Sequence, residues 1–192
     1  MVYEIHITVK HRASFVDDCY ELGIKPIIID LGSDTPSHSM TSSTVTGNDE
    51  VAFATAHNFA SLFRDRGYVV ERIKIETVPW HPKANSPDPG QYFETHFAIR
   101  NMGDNRLIDE VLKNATNLHR SRNLLKKGND TVQMATYRSK HYRTSNEYLQ
   151  DVDCIKAALI SHGLELDKVI SEFALYDTNV EMDHQWLKTK QL

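Results

Sequence analysis

Two stretches of the chain, "YEIHITVK" near the start and "YFETHFAIR" at residues 92–100, write Glu-x-His into a strand-like alternation. In the first, Glu4, His6, Thr8 and Lys10 alternate with Tyr3, Ile5, Ile7 and Val9. In the second, Glu94, His96, Ala98 and Arg100 alternate with Phe93, Thr95, Phe97 and Ile99. A period of two sends alternate side chains to opposite faces of a sheet. Each strand therefore needs an apolar layer on one side and water, a partner or a ligand on the other.

The surrounding segments repeat in the same order. After the first strand come a short helix ending at Gly23, the strand "KPIIIDLG", the Thr/Ser-rich strand or loop "SHSMTSSTVTG", the helix "NDEVAFATAHNFASLFRDRG" and the strand "YVVERIKIETV". That helix has Asn48 or Asp49 as its cap, with Val51, Phe53, Phe59, Leu62 and Phe63 as its apolar side. After "PWHPKANSPDPGQ", whose prolines mark a linker, the series recurs: the second Glu-x-His strand, "NRLIDEVLKNATNLH", "SRNLLKKG", "TVQMATYRSKHY", "SNEYLQDVDCIKAALISHG" and "KVISEFALYDT". This order predicts an α+β fold: an internal duplication of two ferredoxin-like βαββαβ lobes, with mainly antiparallel sheets and helices on the outer faces. The expected divisions are an N-terminal lobe at 1–79, a Pro-rich linker at 80–91, a C-terminal lobe at 92–180 and a tail at 181–192. A single continuous sheet or barrel would produce much the same string.

The polar faces are the candidate site. On the fourth strands Arg72, Lys74 and Glu76 alternate out from Ile73 and Ile75, and Glu172 and Tyr176 do the same around Phe173 and Leu175. Charges shut away unpaired cost several kcal/mol each, so the two faces are either wet or opposed across a polar cleft. A cleft of this kind suits an anionic small molecule, a nucleotide or phosphate ester. His6 and His96 are the expected acid–base pair for hydrolysing it, since an imidazole pKa near ~6.5 serves both roles. The expected ligand contacts are Glu4, Thr8, Lys10, Arg72, Lys74, Glu76, Glu94 and Arg100. The sequence assigns no cofactor and no metal: His6 and His96 with Glu76 or Glu94 are ligands of a familiar kind, but no H-x-x-x-H or C-x-x-C spacing joins them, and "LGSDTPS" lacks the spacing of a phosphate loop.

His6-Ile7-Thr8 resembles one of the paired His-x-Thr/Ser motifs of the two-histidine phosphoesterases, a likeness that implies phosphodiester chemistry, although the second site reads His96-Phe97-Ala98 and lacks the hydroxyl. "YEIHITVK" also resembles the opening Glu-x-Glu-x-Lys strand of the triphosphate-tunnel enzymes, with His6 in place of the second Glu and Thr8 in place of the Lys. The helix from Asp49 to Arg66 interrupts the run of strands that a tunnel requires. These departures leave both families outside the reading taken here.

Charge narrows the partners. The 22 basic and 26 acidic residues leave a net charge of -4, which argues against a general nucleic-acid binder. Between Lys113 and Arg143, however, Lys113, Arg120, Arg122, Lys126, Lys127, Arg138, Lys140 and Arg143 meet only one acid, Asp130, leaving RNA open as a partner. No apolar run approaches the ~20 residues that span a bilayer and no secretory signal is read, so a cytoplasmic, membrane-independent protein is expected. Cys19 and Cys154 are expected as buried, reduced small hydrophobes. The segment "YDTNVEMDHQW" gathers Asp177, Glu181, Asp183, His184 and Trp186 and reads as an exposed tail packed by its Trp, with a lid or an acidic ligand cluster as the alternatives. The competing function is a noncatalytic interaction or oligomerisation module; the number of subunits is not legible.

Overall fold

The computed structural model describes residues 1–30, 37–100, 105–114, 118–125, 133–139 and 144–183. The chain runs β1 (Val2–Val9), α1 (Phe15–Glu21), β2 (Lys25–Asp30), β3 (His38–Thr46), α2 (Asp49–Asp65), β4 (Val70–Thr77), β5 (Tyr92–Ile99), α3 (Asn105–Asn114), β6 (Leu118–Asn123), β7 (Gln133–Arg138), α4 (Ser145–Ser161) and β8 (Leu166–Asp177). Single 3-10 turns occupy Pro82–Asn85 and Val180–Asp183.

The strands close into one antiparallel barrel in the order β1-β3-β2-β6-β7-β5-β8-β4. This corrects the expectation of two ferredoxin-like lobes. The strands of the two halves join edge to edge at β2/β6, where Ile29 faces Asn123 and Asp30 faces Arg122, and at β4/β8, where Lys74 to Thr77 face Asp177 to Phe173. Two open sheets would leave rows of unpaired edge donors and acceptors and two charged faces in water; closure pairs the edges and turns the charged faces toward each other. The helix between β3 and β4 does not interrupt the barrel, because it lies outside, over β1, β3 and β4.

The apolar core therefore forms a shell between helices and barrel. Tyr3, Ile5, Ile7, Ile73, Ile75, Phe93, Phe97, Ile99 and Phe173 point outward from their strands and are buried under the helices. Helix α2 meets this layer with Ala52, Ala56, Ala60 and Phe63, while Val51 is exposed. The small residues at every fourth position let the helix axis approach the sheet closely. Of the expected large residues Phe63 is buried with them, Phe53 and Phe59 pack against the core, and Val51 alone is exposed. Asn48 caps the helix by accepting from the Val51 N–H. Helix α4 opens with a capping box between Thr144 and Glu147. Its Tyr148 stacks on Phe93 at 4.8 Å and on Tyr137 at 5.7 Å.

Asp49, at the start of α2, ties down the segment between β4 and β5. Its Oδ1 accepts from the Tyr3 hydroxyl at 2.7 Å and pairs with His81 Nε2 at 3.0 Å, and Lys83 reaches its other oxygen at 3.0 Å. His81 also stacks on Phe173, with ring centroids 6.2 Å apart, whereas Trp80 is exposed. Cys19 is buried, as expected, and burial pushes its thiol up to about 12; Cys154 is exposed on α4, against expectation. No helix among the described residues is long and apolar enough to cross a membrane.

Candidate functional site inside the barrel

An eight-stranded barrel leaves an interior wide enough for side chains or one small ligand. Here it contains a cavity of about 250 Å³ lined from every strand. One wall is charged: Glu4, His6 and Thr8 from β1, Arg72, Lys74 and Glu76 from β4, Glu94 and His96 from β5, Thr136 and Arg138 from β7, and Glu172 from β8. Ile27, Ile29, Met40, Met134 and Ile170 supply apolar surface.

Strand register explains the charged wall. Across β1/β4, Glu4 faces Glu76, His6 faces Lys74 and Thr8 faces Arg72. Across β5/β7, Glu94 faces Arg138 and His96 faces Thr136. The groups join into one chain of contacts. His6 Nδ1 lies 2.7 Å from the Thr41 carbonyl, and its Nε2 lies 3.1 Å from Glu76 Oε2. Lys74 Nζ sits 2.7 Å from Glu76 Oε1, out of line for a hydrogen bond, so that contact is purely ionic. The same ammonium donates to Glu94 Oε1 at 3.0 Å, which also lies 3.1 Å from His96 Nε2. His96 Nδ1 meets Thr136 Oγ1 at 2.9 Å. Arg138 Nε donates to Glu94 Oε2 at 2.7 Å.

The electrostatics follow from this pairing. Burial works against charge on Lys74, but the Glu76 and Glu94 carboxylates raise its pKa well above the ordinary value. Burial would raise Glu76, but Lys74 and the His6 hydrogen bond bring it down to about 2. Glu94 is likewise held well below the usual carboxylate range, by Arg138 and Lys74 against burial. For His6 burial lowers the pKa, but the Glu76 hydrogen bond and the charges of Glu76 and Glu4 raise it on balance. Glu172 is only partly compensated: burial, then Glu76 and Glu4, push it up to about 9 against the opposing charge of Lys74, which favours the neutral acid at pH 7.

Of the residues expected from sequence, His6, His96, Glu4, Thr8, Arg72, Lys74, Glu76 and Glu94 come together in this cavity. Lys10 and Arg100 do not, which corrects both assignments. The pairing of β1 with β4 shifts register between Thr8 and Val9, the strand ends at Val9, and Lys10 is exposed. The pairing of β5 with β8 shifts between Ala98 and Ile99, and Arg100 lies outside, paired with Asp167 and Glu165. Tyr176 is misplaced for the same kind of reason. A register shift opposite Ile75/Glu76 turns it to the helix side, where it packs on Phe53 at 5.0 Å.

The hydrolase expectation is also corrected. The two lobes that would flank a substrate are one closed barrel, and each ring nitrogen of His6 and His96 already faces a protein partner.

Sequence reasoning missed Arg138 and Asp183. Arg138 belongs to the basic block between Lys113 and Arg143, whose described arginines diverge: Arg120 pairs with Asp109, Arg122 with Asp30, and Arg138 points into the barrel. Lys126, Lys127, Lys140 and Arg143 lie outside the described residues, as do positions 31–36 and the tail beyond 183. Asp183 belongs to the expected tail, yet it is buried and accepts from Arg72 Nη2 at 2.8 Å, from Arg72 Nη1 at 3.1 Å and from Arg138 Nη2. The alternation of "QMATYR", with Met134, Thr136 and Arg138 in phase, is the signal for Arg138; for Asp183 the signal is the acidic grouping with Asp177 and Glu181, which carries no periodicity to place it in the barrel.

Glu76, Glu94 and His96 offer donor atoms within 4.8 Å of one another, a spacing that could hold a metal ion. The Lys74 ammonium bridges the two carboxylates and already supplies the positive charge there.

The fold and site define a closed antiparallel barrel with an ion-paired lumen. No family model and no curated protein matches the sequence. Among solved structures, the acetolactate synthase small subunit from Thermotoga maritima is similar over 89% of this chain and 92% of its own, at 13% identity and a TM-score of 0.27. A score that low carries no argument about fold or function, and the architecture rests on the strand order.

Proposed function

We propose that the protein is a noncatalytic binder of a small anionic molecule, a phosphate ester of few atoms, held inside the barrel. The observation that carries this reading is the cavity's composition: Arg72, Lys74 and Arg138 converge on it from two strands, and isoleucine and methionine side chains supply apolar surface. Cations fixed by buried carboxylates bind an anion without the cost of ordering flexible side chains. The apolar surface suits a short hydrocarbon body. At about 250 Å³ the cavity is smaller than the ~300–1,000 Å³ clefts that hold drug-sized ligands, which favours a compact ester over a whole nucleotide.

The test is a thermal-shift and calorimetric panel of short alkyl phosphates against the matching alcohols. At ~100 times its dissociation constant a ligand adds about 2.7 kcal/mol of stability. Alkyl phosphates are expected to raise the Tm, alcohols to leave it unchanged, and no inorganic phosphate to be released. Equal effects of both panels, or none, would refute the reading.

A further inference from the structure

We infer that the chain carries its own anion in the binding site: Asp183 fills the Arg72–Arg138 subsite, and the ligand's phosphate takes its place. This rests on the proposed binding function and adds its regulation.

Three observations carry it. First, the turn Val180–Asp183 enters the barrel through one side chain: Asp183 is 2% exposed while the neighbouring Glu181 is exposed, so the carboxylate anchors the turn. Second, that carboxylate makes the contacts an incoming phosphate would need. It accepts from both terminal nitrogens of Arg72, at 3.1 and 2.8 Å, and from Arg138 Nη2. Third, Arg138, which lines the cavity, has its Nη1 buried with no acceptor among the described residues. An unpaired guanidinium N–H inside a protein leaves room for a further acceptor. A carboxylate has two oxygens to share, whereas a phosphate has three free ones and can reach Nη1 as well.

Charge decides between exchange and joint occupancy. Glu94 and Asp177 already flank the two arginines, with Asp177 Oδ1 accepting from Arg72 Nε at 2.9 Å. A phosphate added beside Asp183 would place a further anion against three acidic side chains. Exchange for Asp183 adds at most about one negative charge at the arginines, where joint occupancy adds about two.

The experiment compares n-butyl phosphate binding to wild type and to Asp183→Asn by calorimetry, with hydrogen exchange at residues 180–183 in the wild type. The expected result is at least tenfold tighter binding by the variant, and faster exchange at 180–183 when wild type is saturated. Equal or weaker binding by the variant would overturn the exchange while leaving the binding function standing. No binding by either protein would overturn the binding function itself. Should Asp183→Asn fail to fold, the wild-type exchange decides: unchanged protection at 180–183 on saturation overturns the inference.

Discussion

Lys74 donates to Glu94 over 3.0 Å across the inside of the barrel, joining β4 to β5, two strands that pair with β8 on opposite sides and not with each other. The contact binds the two halves of the chain through their polar faces, and the remaining lumen charges are arranged around it.

Removing that ammonium should expose how much the lumen depends on it. Lys74→Ala leaves Glu76 and Glu94 buried without their shared cation. Breaking a buried pair by deleting one partner costs about 3–5 kcal/mol. Urea denaturation should show a loss of that size. By contrast, Arg100→Ala, which removes exposed ion pairs, should stay within about 0.5 kcal/mol and leave alkyl phosphate binding unchanged.

Stability should peak on the acid side of neutrality. Glu172 has its folded pKa raised to about 9, so its contribution is complete below its ordinary value and is lost as pH rises toward 9. His6, also raised, adds to the decline above its ordinary value of 6.5. Glu76, lowered to about 2, acts in the opposite sense: its contribution is present above 4.5 and disappears as pH falls toward 2. Chemical denaturation across pH 3–10 checks these signs, and Glu172→Gln should flatten the alkaline limb while sparing the acid one.

Much of this arrangement was legible in the sequence, for a physical reason. Alternation at period two is local, so Glu4, His6, Arg72, Lys74, Glu76, Glu94 and His96 could be assigned to polar faces from the string alone. Closure was not legible, because it depends on which edges meet: among the described residues the β2/β6 seam pairs two positions, one of them the Asp30–Arg122 ion pair, and no local pattern matches those two residues across the chain. Bulges were equally invisible. The shifts beside Val9, Ile99 and Ile75 each break the alternation, and they account for Lys10, Arg100 and Tyr176 lying outside the cavity. Asp183 enters from a turn with no periodicity to read.

Packing outside the barrel gives an independent check on the fold. Ala56 is fully buried where α2 lies on the sheet. Ala56→Leu should force the helix outward and cost about 1–3 kcal/mol. Helix propensity is nearly equal for the two residues, so a loss reports crowding. A neutral result in thermal denaturation would mean that α2 does not sit against β1.

The most direct measurement is an NMR titration of the wild-type protein with n-butyl phosphate, following the methyl signals of the methionines. Met40 and Met134 line the lumen, whereas Met1 is exposed outside it. A ligand held inside the barrel shifts Met40 and Met134 saturably and leaves Met1 in place. Saturable binding that leaves both lumen methyls unmoved would contradict the account.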